Sequence, residues 1–286
     1  HEGEVPLLQL RGRDVDHLRK SPQRRNERNG AAAEQLRLFS WSLQPCRTFG
    51  IRCVLCAVAV KPMERSTIIV AGGTGKRMGA AVPKQFLLLK GEPLLFHTLR
   101  AFHAFDPGMQ LVLVLPQDHH ETWDHLCGEF DFEVQHELVA GGAERFHSTQ
   151  AGLAAVKHDG LVAVHDGVRP LVSAALIARC FCSAEEHGAA IPVVPISSSV
   201  RELTDEGSQP MDRSRLRAVQ TPQCFRVPLL RRAFELPYDP AFTDEATLVE
   251  RLGVDVHLVE GEDLNIKVTT PLDLQVAEGV LGANSA

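Results

Sequence analysis

Residues 68–87, IIVAGGTGKRMGAAVPKQFL, set Gly72, Gly73 and Gly75 beside Lys76 and Arg77, and follow Pro83 with Lys84. Glycine lets backbone N–H groups approach a ligand closely, and neighbouring cations suit an anion, so the loop reads as a phosphate site. It is not a P-loop. The GxxxxGK[ST] pattern needs a glycine where Val70 stands and a hydroxyl where Arg77 stands. It is a poor dinucleotide fingerprint as well, because Gly73, Gly75 and Gly79 are spaced GxGxxxG and no ribose-binding acid follows a second strand. A structural glycine turn is the plainer alternative, and the cations weigh against it. Arg77 and Lys84 suit a triphosphate whose charge shifts during reaction.

Such a loop needs a scaffold, and the chain supplies one. From residue 66 short apolar runs alternate with amphipathic segments: STIIVAGG, then PLLFHTLRAFHAF, MQLVLVLP, HHETWDHLCGEF, FEVQHELVAGG, RFHSTQAGLAAV, GLVAVHDGVRP, SAALIARCFCSAEEHG and AAIPVVPI. This β–α rhythm with unbroken apolar strands predicts an α/β fold: a Rossmann-like, mostly parallel sheet with helices on both faces. Ligands of such sheets sit beyond the carboxyl ends of the strands, where AGGTGKR, LPQD, AGGAER and HDGVRP all fall. One stretch leaves the rhythm. Residues 197–220 hold two β-like halves, SVRELT and LRAVQT, around a turn-rich DEGSQP, which predicts a protruding β-hairpin arm.

Composition sets the bounds. The chain has 286 residues, 44% of them hydrophobic, and a formal net charge of −6, which is no basis for binding nucleic acid. Residues 1–62 differ from the rest, with 11 Lys and Arg against 6 Asp and Glu, and they lack strand alternation. They read as a leader or disordered extension, and 63–286 as the functional domain. The apolar part of GIRCVLCAVAV is too short to span a membrane. The seven cysteines include one CxxC and no second pair at zinc-finger distance, and the thirteen histidines form no ligand set. Reduced thiols and a cytoplasmic location are expected, with plastid-type targeting by residues 1–62 left open.

The ordered blocks VAGGTGKRMGAAVPKQFLLLKGEPLLFHTL, AGGAERFHSTQAGL, VAVHDGVRPLVS, RAVQTPQCF, FTDEATLVERLG and LVEGEDLNIKVTTPLDL carry a resemblance over about residues 66–281. They resemble the sugar-phosphate nucleotidyltransferases, and within them the 2-C-methyl-D-erythritol 4-phosphate cytidylyltransferase family. The resemblance implies transfer of CMP from CTP to 2-C-methyl-D-erythritol 4-phosphate, with release of pyrophosphate, by a homodimer using Mg²⁺ or another divalent metal.

It also implies roles. Arg77, Lys84, Arg213 and Lys267 match the family's catalytic cations, Arg213 reaching a twofold partner from the arm. Ala71, Gly72, Gly73, Gly75, Gly142, Ala143 and Ser148 match its nucleotide-binding positions, with Gly141 and Glu144 in the same segment. Asp166, Arg169, Ser199, Thr221 and Thr243 match its acceptor site, and Asp166 also its metal position. Bland alternatives stand beside several of these: a local salt bridge for Asp166 and Arg169, and a helix-capping role for Ser148. The chain departs from the family's habit at Gly167 and Val168, where two alanines are common, at Ala143 and Leu264, where acids are, and at Ser199, where a threonine is. Two other readings remain: a ribitol 5-phosphate cytidylyltransferase, and a catalytically silent nucleotide-binding module.

Overall fold

The computed structural model describes residues 63–72 and 83–283; the expectations for residues 1–62 and for Gly73, Gly75 and Arg77 lie outside them. The described residues begin with β1 (Arg65–Val70), a 3₁₀ turn at Lys84–Phe86, the short β2 (Leu88–Leu89) and β3 (Glu92–Pro93), and α1 (Leu94–Phe105). Next come β4 (Gln110–Leu115), α2 (His120–Glu129), β5 (Glu137–Ala140), α3 (Arg145–Ala154), β6 (Leu161–Asp166), α4 (Ala174–His187) and β7 (Ala189–Pro195). The remainder holds β8 (Val200–Thr204), β9 (Gly207–Met211), β10 (Arg217–Val219), β11 (Gln223–Arg226), α5 (Val227–Ala233), α6 (Glu245–Glu250), β12 (His257–Glu260) and α7 (Pro271–Ala283).

The main sheet runs β10-β7-β11-β6-β1-β4-β5, with β12 alongside β7. Its centre, β6-β1-β4-β5, is parallel, as is the pairing of β12 with β7. The antiparallel β11 is wedged between β6 and β7. Alternate residues of each central strand enter different cores, as the pleat requires. Ile69, Leu113 and Ala163 face one core, covered by α1, α2 and α4, and Ile68, Val112 and Val164 face the other, under α3, α5 and α6. All six are 0% exposed. Each large side chain so buried contributes about 1.5–3 kcal/mol, which is why both strand faces had to be apolar.

Register brings the strand ends together. Val70 pairs with both Val114 and Asp166, and Leu115 with Ala140. Backbone bonds continue past the ends, from Ala71 N–H to Val114 C=O, Gly141 N–H to Leu115 C=O and Gly167 N–H to Val70 C=O. The polar motifs after β1, β5 and β6 therefore converge.

The arm is present, but its pairing differs from the sequence expectation. β8 pairs with β9, so GSQP of the DEGSQP assigned to the turn belongs to a strand, and β10 from LRAVQT returns to β7. The loop is only Asp205–Glu206, with Gly207 at φ +142° closing it. Pro210 suggests a turn, yet proline is tolerated on an edge strand, where its missing N–H costs nothing. The strand after α2 also reads longer than it is: only Glu137–Ala140 of FEVQHELVA is extended in the sheet.

Candidate active site

Two cavities open beyond the carboxyl ends of β1, β5 and β6. The first, of about 270 Å³, is lined by Ala71, Gly72, Lys84, Gly142, Ala143 and Ser148, among others. The second, of about 200 Å³, is lined by Arg169, Thr221, Thr243 and Asp244, among others. Arg145, Asp166 and Lys267 line both.

Lys84 opens the 3₁₀ turn, and the two residues after it are anchors. Phe86 is 4% exposed and stacks at 6.3 Å on Trp123, so the lysine is mounted on a rigid base at the cavity wall. Across the cavity, Gly142 N–H donates to Ser148 Oγ at 3.1 Å, and that hydroxyl donates to Glu144 C=O at 3.1 Å. The Ser148 side chain thus shapes the loop that presents Gly142 and Ala143, and it also lines the cavity. A Cβ on Gly142 would stand 2.4 Å from His147 Cβ, so any larger residue would force the loop or His147 to shift.

Asp166 ends β6 and gathers cations. Its Oδ2 lies 3.2 Å from Arg169 Nε and 3.0 Å from Lys267 Nζ, and its Oδ1 lies 3.9 Å from Arg145 Nε. Burial raises the carboxyl's pKa, but Lys267, Arg145 and Arg169 outweigh it and hold the group well below the usual carboxylate range. Arg169 also donates to Asn265 C=O at 2.8 Å, and Val268 N–H to Val168 C=O at 2.9 Å, which fixes the strip carrying Lys267.

Thr221 completes a chain of bonds under Asp166. The Asp166 N–H donates to Thr221 Oγ1 at 3.1 Å, and Thr221 Oγ1 lies 3.0 Å from His165 Nδ1. His165 Nε2 lies 3.3 Å from Arg169 C=O. Burial pushes the His165 pKa down to about 3, so the ring is neutral. A carbonyl can only accept, so Nε2 carries the proton and Nδ1 accepts from the threonine hydroxyl.

The sequence reading missed two residues, Arg145 and Glu245. Arg145, first residue of α3, donates from Nη1 to Glu245 Oε1 at 2.6 Å, and Thr149 Oγ1 donates to the same oxygen at 2.8 Å. Burial lowers the Arg145 pKa, but Glu245 and Asp166 outweigh that and keep it charged. A cation at a helix N-terminus opposes the helix dipole, and that was the available signal that Arg145 has a local partner. Two residues assigned to the site do not reach it within the chain. Arg213 is exposed and donates to Ser197 C=O on its own arm, and Ser199 is exposed; neither lines either of these two cavities.

Residues 66–283 match the sequence profile of IspD, 2-C-methyl-D-erythritol 4-phosphate cytidylyltransferase. The chain belongs to the 2-C-methyl-D-erythritol 4-phosphate cytidylyltransferase family. It is 50% identical to the enzyme of that name from Bacteroides thetaiotaomicron over 219 residues, 77% of this chain and 100% of the relative. It is 44% identical to that from Bacillus velezensis over 229 residues, 78% of this chain and 98% of the relative. Among solved structures, the cytidylyltransferase of Thermus thermophilus superposes with a TM-score of 0.62 at 35% identity, covering 76% of this chain and 98% of that one. The 4-diphosphocytidyl-2C-methyl-D-erythritol synthase of Anaerococcus prevotii gives 0.66 at 27% identity, covering 77% and 96%. Like its family, the chain is a nucleotidyltransferase. Among the described residues no helix is long and apolar enough to cross a membrane.

Proposed function

We propose that CTP occupies the cavity between Gly72, Lys84 and Gly142, that the acceptor occupies the one beside Thr221 and Thr243, and that they react across Asp166, Arg145 and Lys267. The observation that supports this is the sharing of those three residues by both cavities. The chain transfers CMP from CTP to 2-C-methyl-D-erythritol 4-phosphate and releases pyrophosphate. An acceptor phosphate oxygen attacks the α-phosphorus, and the bond to the β-phosphate oxygen breaks. Both reactants are anions, so the residues must hold them in line and offset charge that grows on the α-phosphate and the leaving group. Lys84 and Arg77 serve the triphosphate, and Lys267 the incoming phosphate.

A divalent metal fits a limited role. Among the described residues no three His, Cys, Asp or Glu side chains are grouped to hold one. Mg²⁺, however, needs only one or two carboxylates when substrate phosphates and water supply its other ligands. Asp166 is ionised, and among the described residues its Oδ1 meets only the more distant Arg145, so this oxygen is open to a metal. Bound with CTP, the ion would neutralise phosphate charge.

The active species in this reading is a homodimer whose arms complete each other's sites. Arg213 and Ser199 sit away from their own chain's cavities, and Leu203 on the arm is 84% exposed. A lone two-stranded hairpin is marginal in water, so the arm needs a surface to lie on. Both substrates are highly charged and do not cross membranes, which favours a cytoplasmic setting. Pyrophosphate release, measured with CTP and either 2-C-methyl-D-erythritol 4-phosphate or ribitol 5-phosphate, with and without excess chelator, tests the assignment. Preference for the first acceptor and loss in chelator are expected. Equal rates with both acceptors would remove the acceptor assignment, and full activity in chelator the metal.

A further inference from the structure

Arg145 and Glu245 lie 100 residues apart and belong to opposite sides of the site. Arg145 starts α3, directly after the Gly141–Glu144 loop of the first cavity. Glu245 starts α6, directly after Thr243 and Asp244 of the second. Glu245 is 2% exposed, and its Oε1 holds both Arg145 Nη1 and Thr149 Oγ1. Among the described residues its Oε2 is buried with no hydrogen-bond partner. A buried carboxylate with one oxygen unsatisfied is costly, and hydrophobic packing alone gives no reason to keep it. Its arrangement does have one consequence: it aims a guanidinium at the seam between the cavities. Of the two cations at the seam, Lys267 pairs with Asp166 inside it, whereas Arg145 is held from outside by Glu245.

We propose that Arg145 is a catalytic cation of this reaction, bridging the acceptor phosphate and the α-phosphate across the seam, and that Glu245 is the positioning residue that sets it. The inference rests on the reaction assigned above. A guanidinium presents several N–H donors in a fixed fork, so one side can stay on Glu245 while the other faces phosphate oxygens. Asp166 cannot perform this duty, since it repels both phosphates. Without the Glu245 carboxylate the guanidinium still has Asp166 at 3.9 Å, and swings onto it. The same pair also ties the N-terminus of α3 to that of α6, so the distance between the two cavities is set by the residue that does the chemistry.

The test is a double-mutant cycle of Arg145→Met and Glu245→Gln, read by pyrophosphate release and by CTP affinity. Arg145→Met should lower kcat on the order of 10²–10³-fold, the usual loss for one donor at a centre of developing charge. Glu245→Gln should lower kcat about 10- to 100-fold, the effect of misplacing a reacting group by about an ångström. CTP Kd should stay within about threefold in both. Glu245→Gln should cost nothing further in the Arg145→Met background, because it acts through that arginine. Equal losses from Glu245→Gln in both backgrounds, or wild-type kcat in Arg145→Met, would overturn the proposal. Should Arg145→Met not fold, Arg145→Lys replaces it: charge without the fork is expected to lose at least about 10-fold in kcat, and full activity counts against the bridging role. A wild type that releases no pyrophosphate would instead refute the reaction. Arg145 is then judged by binding alone, as tighter acceptor binding in the presence of α,β-methylene-CTP that Arg145→Lys abolishes, or as no such coupling.

Discussion

Lys267 Nζ lies 3.0 Å from Asp166 Oδ2, at the seam shared by both cavities. The pair keeps a cation on the path of the acceptor phosphate. Lys267→Met keeps most of the stem and removes the charge. Its kcat/KM should fall on the order of 10²–10³-fold. The fold should survive, since Arg169 and Arg145 still face Asp166. Steady-state pyrophosphate release and thermal melting on the same preparation decide it. Wild-type kcat/KM in a folded variant removes Lys267 from the chemistry.

Lys84 stands on the opposite wall, over the turn anchored by Phe86. An interaction made mainly in the transition state appears in kcat, whereas uniform binding appears in KM. Lys84→Ala should therefore lower kcat on the order of 10²–10³-fold and leave CTP Kd within a few-fold. Calorimetric titration of CTP beside single-turnover kinetics separates the two. A raised Kd with normal kcat would place Lys84 in ground-state binding.

Gly142 and the control position Gly128 make contrasting alanine substitutions. At Gly142 the added methyl meets His147 Cβ at 2.4 Å, whereas at Gly128, within α2, nothing lies within 4 Å. Gly142→Ala forces the loop off α3 and strains the bond from its N–H to Ser148 Oγ. A loss of about 1–3 kcal/mol in stability is expected, with weaker CTP binding. Gly128→Ala should be neutral or stabilising by up to about 1 kcal/mol. Urea unfolding of both variants checks the pair; equal stabilities would mean the loop gives way freely.

The parts of this site that could be read in the sequence are those written in local pattern. Ile68 and Ile69, Val112 and Leu113, and Val162 and Ala163 are consecutive apolar pairs, so a strand buried on both faces was visible in each. The motifs followed directly at the strand ends. Arg145 and Glu245 escaped notice because each looks like an ordinary surface charge until the fold brings them together across 100 residues. The arm's pairing escaped because Gly207 and Pro210 read as turn residues, whereas an edge strand accepts both.

Thiol reactivity follows from burial. Burial, with Asp124 beside it, pushes the Cys127 pKa up to about 11, while Cys182 is exposed. Raising a thiol's pKa leaves less thiolate at any lower pH, so roughly one Cys127 in a hundred is ionised at about pH 9. Cys224 is fully buried and its thiol is pushed up as well, by burial and by Cys180. Among these residues, iodoacetamide at about pH 7.5 should mark Cys182 and leave Cys127 and Cys224 unmodified. Labelling of Cys127 should rise only as pH approaches about 11. Peptide mapping by mass spectrometry reads this directly, and rapid labelling of Cys127 near neutral pH would show that the α2 face opens.

The proposed exchange of arms predicts complementation. Arg213 lies just past β9 at the base of the hairpin, exposed and bonded to Ser197 C=O of the same arm. It lines neither of the two cavities of its own chain, whereas the sequence resemblance implies that it is one of the catalytic cations, reaching a twofold partner from the arm. In a twofold dimer the two statements agree, because one operation carries each arm to the other's site. Arg213→Ala and Lys84→Ala homodimers would each have two defective sites. A mixed dimer would have one site with both defects and one with neither, the intact one combining Lys84 of the Arg213→Ala chain with Arg213 of the Lys84→Ala chain. Random exchange of equal amounts makes about half of the dimers mixed. Each mixed dimer has one working site of two, so activity should return to about a quarter of the wild type. Subunit exchange is confirmed separately, by mass spectrometry of differently tagged chains. Should exchange be complete and activity stay at the level of the single variants, Arg213 does not act across the twofold axis.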